Sequence, residues 1–279
     1  MSSEISAIAS ERVVFIVSDH TGLTAESMAR SLLAQFEGLR IRLIRRPFTT
    51  SETDVTELIA EVERAGLEAG SRPIVFSTVA SRGLNQQITA SSALHFDLFG
   101  SSLDALANEF GRSSSHRVGG YHDTSDSGSY TARIEAVEFA LATDDGLGDK
   151  HYALADVILV AVSRAGKTPT CLFLGLQHGF RAANYPLAEV DFERDTLPEP
   201  LEPHRAKLFG LTIQPRRLNE IRTQRRAGSE YASLERCSFE VKWAEVLFRA
   251  HRVPFFDVTN TSVEEIAANI MRTLANGRG

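Results

Sequence analysis

The chain has 279 residues, 43% apolar and 24% charged, with a net charge of -6 at pH 7. That is enough chain and apolar surface for one large or two ordinary globular domains, and the acidic balance excludes a general electrostatic grip on nucleic acid. No run approaches the roughly 18 apolar residues of a membrane span, and the start, MSSEISAIASERVVFIV, has no basic region before an apolar core, so a cytoplasmic protein with no membrane partner is expected.

The first predicted element is the β-branched run RVVFIVS, Arg12 to Ser18, a strand. The turn DHTG follows, and apolar residues at Ala25, Met28, Ala29, Leu32, Leu33 and Phe36 then predict a helix with one buried stripe. DHTG could hold an anion at that helix start, and capping by Thr21 or Thr24 explains it almost as well. IRLIRRPF, RPIVFSTV and ALHFDLFG read as further strands, with a helix from Asp54 to Ala69 between the first two. Strands alternating with helices imply a parallel sheet of α/β type, here in an N-terminal domain over residues 1–110. The next stretch, GRSSSHRVGGYHDTSDSGS, is rich in Ser and Gly and free of apolar periodicity, so a linker is predicted over 111–128.

A second α/β domain is predicted over 129–279. It opens with the helix YTARIEAVEFALATDDG, with Ile134, Val137 and Leu141 on one face and Gly146 as its stop. The strands ADVILVAV and KLFGLTI, the helix RRLNEIRTQRR, a long helix around FEVKWAEVLFRAH, the strand VPFFDV and a last helix VEEIAANIMRTL follow. Before that last helix, Ser262 and Glu265 stand at capping-box spacing. The fold class is α/β, two domains with mainly parallel sheets, and no repeat of fixed period is visible. Cys171 and Cys237 lack metal-ligand spacing and read as buried thiols; the eight histidines show no metal pattern.

The stretch DVILVAVSRAGKTPT nearly matches the phosphate-gripping pattern G-x-x-x-x-G-K-[ST]. Such a loop turns sharply out of a strand, wraps backbone N–H groups round a phosphate and opens a helix facing it. Val157 to Val160 supply the strand and Ser163 to Gly166 the turn; Lys167 supplies an ammonium and Thr168 a magnesium-holding hydroxyl. Ala161 stands where the pattern asks for the first glycine, and serves there if its φ stays negative. The predicted nucleotide-binding residues are therefore Ala161, Val162, Ser163, Arg164, Ala165, Gly166, Lys167 and Thr168. Pro169 fits the first turn of the helix. The plainer alternative is that Lys167 and Thr168 merely begin a buried helix.

RIEAVEFALATDDG, ADVILVAVSRAGKTPT, GFRAANYPL, KLFGLTIQPRRLNEIRTQRR, SEYASLERCSFEV and TSVEEIAANI, in this order and spacing, closely resemble the bacterial phosphoenolpyruvate synthase regulatory proteins. The resemblance is strong from Tyr130 to Ile270 and weaker in SDHTGLTAES and DLFG. It implies a bifunctional enzyme. One reaction moves a phosphoryl group from ADP to a threonine of the target; the other removes it with inorganic phosphate and releases pyrophosphate. Relatives that regulate pyruvate, phosphate dikinase typically read SRTSKTP where this chain has SRAGKTP, so the synthase branch is favoured. The partners implied are phosphoenolpyruvate synthase, ADP, phosphate and pyrophosphate, with Mg2+ as a companion ion and room for a homodimer. The family usually has glycine where Ala161 stands.

Phosphoryl transfer needs neutralisation of charge and positioning more than covalent work. Lys167 is the first catalytic candidate, with Thr168 as a metal residue, and Arg164 could reach a phosphate or an incoming phosphothreonine. In TDDG the resemblance singles out Asp144 or Asp145 to orient the threonine or bind magnesium; a solvated turn is the other reading. Arg216, Arg217, Arg222, Arg225 and Arg226 share helix faces and could clamp phosphate or form a solvated basic face. His178 is a weaker candidate base. Two other functions fit the same loop: a small-molecule kinase, or a non-catalytic module that senses adenylates.

Overall fold

The computed structural model describes residues 11–115, 127–146, 148–194, 196–226 and 228–276. The chain divides into two compact units, residues 1–123 and 124–279. Of the stretch expected as a linker, residues 116–126 lie outside the described residues.

In the first unit β1 (Arg12–Ser18), β2 (Ile41–Arg46), β3 (Ile74–Thr78) and β4 (Leu94–Asp97) form an all-parallel sheet in the order β2-β1-β3-β4. Parallel neighbours need crossovers, supplied by α1 (Leu23–Leu33), α2 (Glu52–Ala69) and α3 (Arg82–Thr89), and α4 (Gly100–Phe110) follows β4. β1 lies inside the sheet and is buried from Val13 to Ser18, whereas β2 at the edge exposes Arg42 and Arg45. α2 starts at a capping box, with Asp54 N–H donating to Ser51 Oγ at 3.1 Å and Ser51 N–H to Asp54 Oδ2 at 2.8 Å. It buries Val55, Leu58, Val62 and Ala65, one stripe of a 3.6-residue period.

α1 departs from its expected stripe. Only Ala25 and Ala29 are buried and Leu33 half-buried, while Met28, Leu32 and Phe36 are exposed. Two alanines one turn apart pack beside Val14, Ile16 and Phe76, and the larger side chains fall on the outer faces of the helix. No side chain caps α1; its N-cap is Gly22, at φ 77°, so neither Thr21 nor Thr24 has the expected role.

The second unit repeats the architecture. β5 (Val157–Val162), β6 (Ala182–Leu187), β7 (Leu208–Thr212) and β8 (Phe255–Asp257) form an all-parallel sheet ordered β6-β5-β7-β8. Around it lie α5 (Ser127–Ala142), α6 (Lys167–His178), the short α7 (Glu189–Phe192), α8 (Pro215–Arg225), α9 (Leu234–Ala250) and α10 (Val263–Asn276). The core is built on β5, buried at all six positions as a strand covered on both faces must be. Ser262 and Glu265 form the expected capping box of α10, and both cysteines are buried free thiols. Among the described residues no helix is long and apolar enough to cross a membrane.

Two expectations for α5 change. Its buried positions are Ala136 and Ala140, and Leu141 is 58% exposed. The helix stops at Ala142, four residues before Gly146, with buried Thr143 returning its hydroxyl to the Phe139 carbonyl at 2.8 Å. A 3-10 turn over Asp144–Gly146 follows.

Candidate functional site

β5 is flanked by β6 and β7, and the chain reaches β6 through α6. Its carboxyl end is therefore a topological switch point, where open parallel sheets leave a crevice for ligands. Ser163 to Gly166 leave β5 there. Arg164 takes φ 75° and Gly166, the N-cap of α6, φ 84°. A residue with a Cβ would be strained at Gly166 even though nothing lies within 4 Å of one built there. No side chain caps α6, so its first N–H groups face the loop with their partial positive charge unanswered. Pro169 sits within its first turn.

A pocket of about 270 Å³ opens at this point, lined by Asp145, Ser163, Arg164, Gly166, Lys167, Thr168 and Pro169. Lys167 is only 5% exposed, and its Nζ donates to the carbonyls of Ala161 at 3.1 Å and Val162 at 3.0 Å. An ammonium has three N–H bonds, which leaves one for a ligand. Burial draws its pKa down to about 8, opposed by the carboxylates of Asp145 and Asp144.

The structure separates the sequence-predicted residues. Ala161 and Val162 belong to β5, in register with Pro186 and Leu187, and are buried; they meet Lys167 through their carbonyls. Ala161 is not among the positive-φ residues, so alanine meets the backbone condition at that position. Ala165 is buried beneath the turn. Ser163, Arg164, Gly166, Lys167 and Thr168 line the pocket.

The early end of α5 brings both acids to the loop in different ways. Asp144 Oδ1 accepts from the Thr168 hydroxyl at 2.7 Å and from Asn184 Nδ2 at 2.6 Å. Asp145, held at φ 50° with its N–H donating to Asn184 Oδ1 at 3.2 Å, lines the pocket and forms no side-chain hydrogen bond. A non-glycine residue in this conformation is costly and recurs where a side chain must be aimed. Asn184, buried in β6, thus fixes the acids through both ends of its amide. Sequence reading passed over it; the available signal was an amide inside an otherwise buried strand.

The arginines of α8 do not act together. Arg222 is fully buried: Nη2 donates to Glu240 Oε2 at 2.6 Å and to the Ser163 carbonyl at 3.1 Å, Nη1 to the Tyr231 carbonyl at 2.9 Å. Tyr231 stacks under this guanidinium and donates its hydroxyl to Ser163 Oγ at 2.8 Å. Arg222 is thus a brace behind the loop and not a ligand clamp, because every side of it is covered. Arg217 pairs with Glu220, and Arg216, Arg225 and Arg226 are exposed. His178 ends α6, about 16 Å along the helix from Lys167, and is not the pocket's base. Among the described residues no three His, Cys, Asp or Glu side chains gather as metal ligands.

A family model described as kinase/pyrophosphorylase matches residues 14–271. A protein of Deinococcus radiodurans is 55% identical over 263 residues, covering 94% of this chain and 95% of its own length. Relatives from Burkholderia mallei and Marinobacter nauticus are 47% and 44% identical, each covering 94% of this chain and 96% and 97% of their own. All three are provisionally named phosphoenolpyruvate synthase regulatory proteins. Full-length similarity of this order places the chain in the kinase/pyrophosphorylase family.

Proposed function

We propose that this protein transfers the β-phosphoryl group of ADP to a threonine of phosphoenolpyruvate synthase, and removes it with inorganic phosphate. The observation that carries the reading is the pocket itself: Lys167, the uncapped start of α6 and the free carboxylate of Asp145 line one cavity. In the forward direction the threonine oxygen bonds to the β-phosphorus, the bond to the bridging oxygen breaks, and AMP leaves. In the other direction a phosphate oxygen bonds to the phosphothreonine phosphorus, threonine departs and pyrophosphate forms.

The residues divide the work. The third N–H of Lys167 and the first amides of α6 bind and neutralise the phosphate oxygens. Asp145 orients the threonine hydroxyl and accepts its proton in the forward reaction; in the reverse reaction the attacking hydrogen phosphate itself carries the proton that the departing threonine takes up. Arg164, exposed at the rim, suits the incoming phosphothreonine. The Thr168 hydroxyl and Asp144 form the hard oxygen pair that would hold Mg2+ beside phosphate oxygens, which suits an ion seldom caged by protein alone. When bound, that ion supplies charge neutralisation.

Incubation of the synthase with this protein and ADP is expected to yield phosphothreonine on the synthase by mass spectrometry, and addition of phosphate to release pyrophosphate. An unmodified synthase alongside a phosphorylated metabolite would replace this reading with that of a small-molecule kinase. No transfer at all, with ADP bound, would leave an adenylate sensor.

A further inference from the structure

The first unit contains a cavity that the proposed phosphoryl transfer does not use. It measures about 200 Å³ and opens where β3 and β4 end, between α3 and α4. Its wall includes Asn85, Gln86 and Arg82 of α3, Asp97 of β4, and Phe99 and Leu103 at the start of α4.

A polar chain runs beside it from buried Ser77 out to exposed Thr89. Ser77, fully buried in β3, donates its hydroxyl to Asn85 Oδ1 at 3.0 Å and lies 2.8 Å from His95 Nε2. The other imidazole nitrogen lies 2.8 Å from Thr89 Oγ1, which also meets the Asn85 carbonyl at 2.9 Å. Burial lowers the pKa of His95, against the opposing charge of Asp97. The chain consumes one end of the Asn85 amide. The other end has no protein partner, although the residue is only 7% exposed and lines the cavity. That end is not among the buried atoms left without a partner; it opens into the cavity, where a ligand can reach it. Either orientation of the amide leaves the cavity-facing end free.

Asp97 shows the same asymmetry. Oδ1 accepts the N–H groups of Phe99 at 3.0 Å and Gly100 at 2.9 Å, whereas Oδ2 makes no hydrogen bond. A Cβ on residue 100 would collide with Oδ2, so glycine there is what lets the carboxylate lie at the cavity wall. Arg82, at the mouth, pairs with Asp104 through one nitrogen and keeps further N–H groups free.

We propose that this cavity binds a small zwitterion of free amino-acid size. Its ammonium pairs with Asp97, its carboxylate meets Arg82, and the open end of Asn85 bonds one of the two groups. Phe99 and Leu103 supply an apolar wall for the remaining carbons. A carboxylate and a guanidinium on one small cavity favour a ligand carrying both signs over a simple anion or amine.

The test is calorimetric titration of the full chain with the free proteinogenic L-amino acids, with propionate and propylamine as single-charge controls. At least one amino acid is expected to bind with a Kd of about 1 mM or tighter, and each control at least roughly tenfold more weakly. Arg82→Gln, an exposed change outside the core, is expected to weaken that amino acid roughly tenfold and leave ADP binding unchanged. Absence of binding by every amino acid, equal binding of propionate or propylamine, or an Arg82→Gln affinity equal to wild type would each overturn the proposal. None of these outcomes depends on whether the second unit transfers phosphoryl groups.

Discussion

Asp144 and Asp145 are neighbours with different chemistry, because Asn184 and Thr168 occupy Asp144 while the Asp145 carboxylate stays open to the pocket. Asp145→Asn is therefore expected to slow ADP-dependent threonine phosphorylation roughly a hundredfold or more with ADP affinity nearly intact, and pyrophosphate formation less, since phosphate is already anionic. Asp144→Asn should depress both reactions and shift their magnesium dependence; steady-state rates in the two directions across a magnesium series check the contrast. Ala161→Gly changes a buried strand position. It should move ADP affinity by less than about tenfold, by calorimetry, while costing stability on the order of 1 kcal/mol. Lys167 gives a pH signature. Its folded pKa of about 8 lies below the ordinary 10.5, so the unfolded chain binds more protons between those values and stability rises with pH across that window. Below pH 8 the cost of burying the charge is fully present. Urea unfolding at several pH values should show the rise, at most on the order of 3 kcal/mol, in wild type and not in Lys167→Met.

At the level of elements, the loop is held from behind by α8 and α9 and not by its own sequence. Glu240 on α9 fixes Arg222 on α8, and Arg222 and Tyr231 take both polar handles of Ser163. Arg236 also pairs with Glu240, at 2.7 Å, so removing Arg222 still leaves that carboxylate one partner. Arg222→Met is expected to cost about 3–5 kcal/mol, as breaking a buried ion pair does. Tyr231→Phe removes one hydrogen bond and should cost about 1 kcal/mol. Chemical denaturation of both variants measures the gap; similar losses would show that the brace is not centred on the guanidinium. In the sequence these arginines read as a common basic face, because helical spacing reveals who shares a face and not which face is covered.

On the scale of the molecule, the two units share a strand order, β2-β1-β3-β4 and β6-β5-β7-β8, without a visible sequence period. In each, the helix after the first strand starts at a left-handed glycine, Gly22 or Gly166, but Leu23 stands where the second unit has Lys167. Each unit also has a hydrophobic core drawn from its own residues. A fragment comprising residues 124–279 is therefore expected to unfold cooperatively and to bind ADP within about tenfold of the intact chain. Circular dichroism melting and calorimetry check this, and a fragment that fails to fold would show that the second core is incomplete alone.

The α/β class, the strands from Arg12 to Ser18 and Val157 to Val162, the loop at Ser163 to Thr168 and the capping box at Ser262 were legible in the sequence. Each depends on interactions within a few residues or on a periodicity that repeats along the chain. The helices α3 and α4 and the strand β6 were not assigned; α3 spans only eight residues, and Asn184 and Pro186 interrupt the apolar run of β6. Which alanines carry a helix face, that Arg222 is buried, that Asn184 locks the acid pair, and that Asp144 meets Thr168 across 24 residues were decided by tertiary structure alone. These are contacts between residues remote in sequence, and local pattern carries no information about which of several polar side chains the packing will bring to one place.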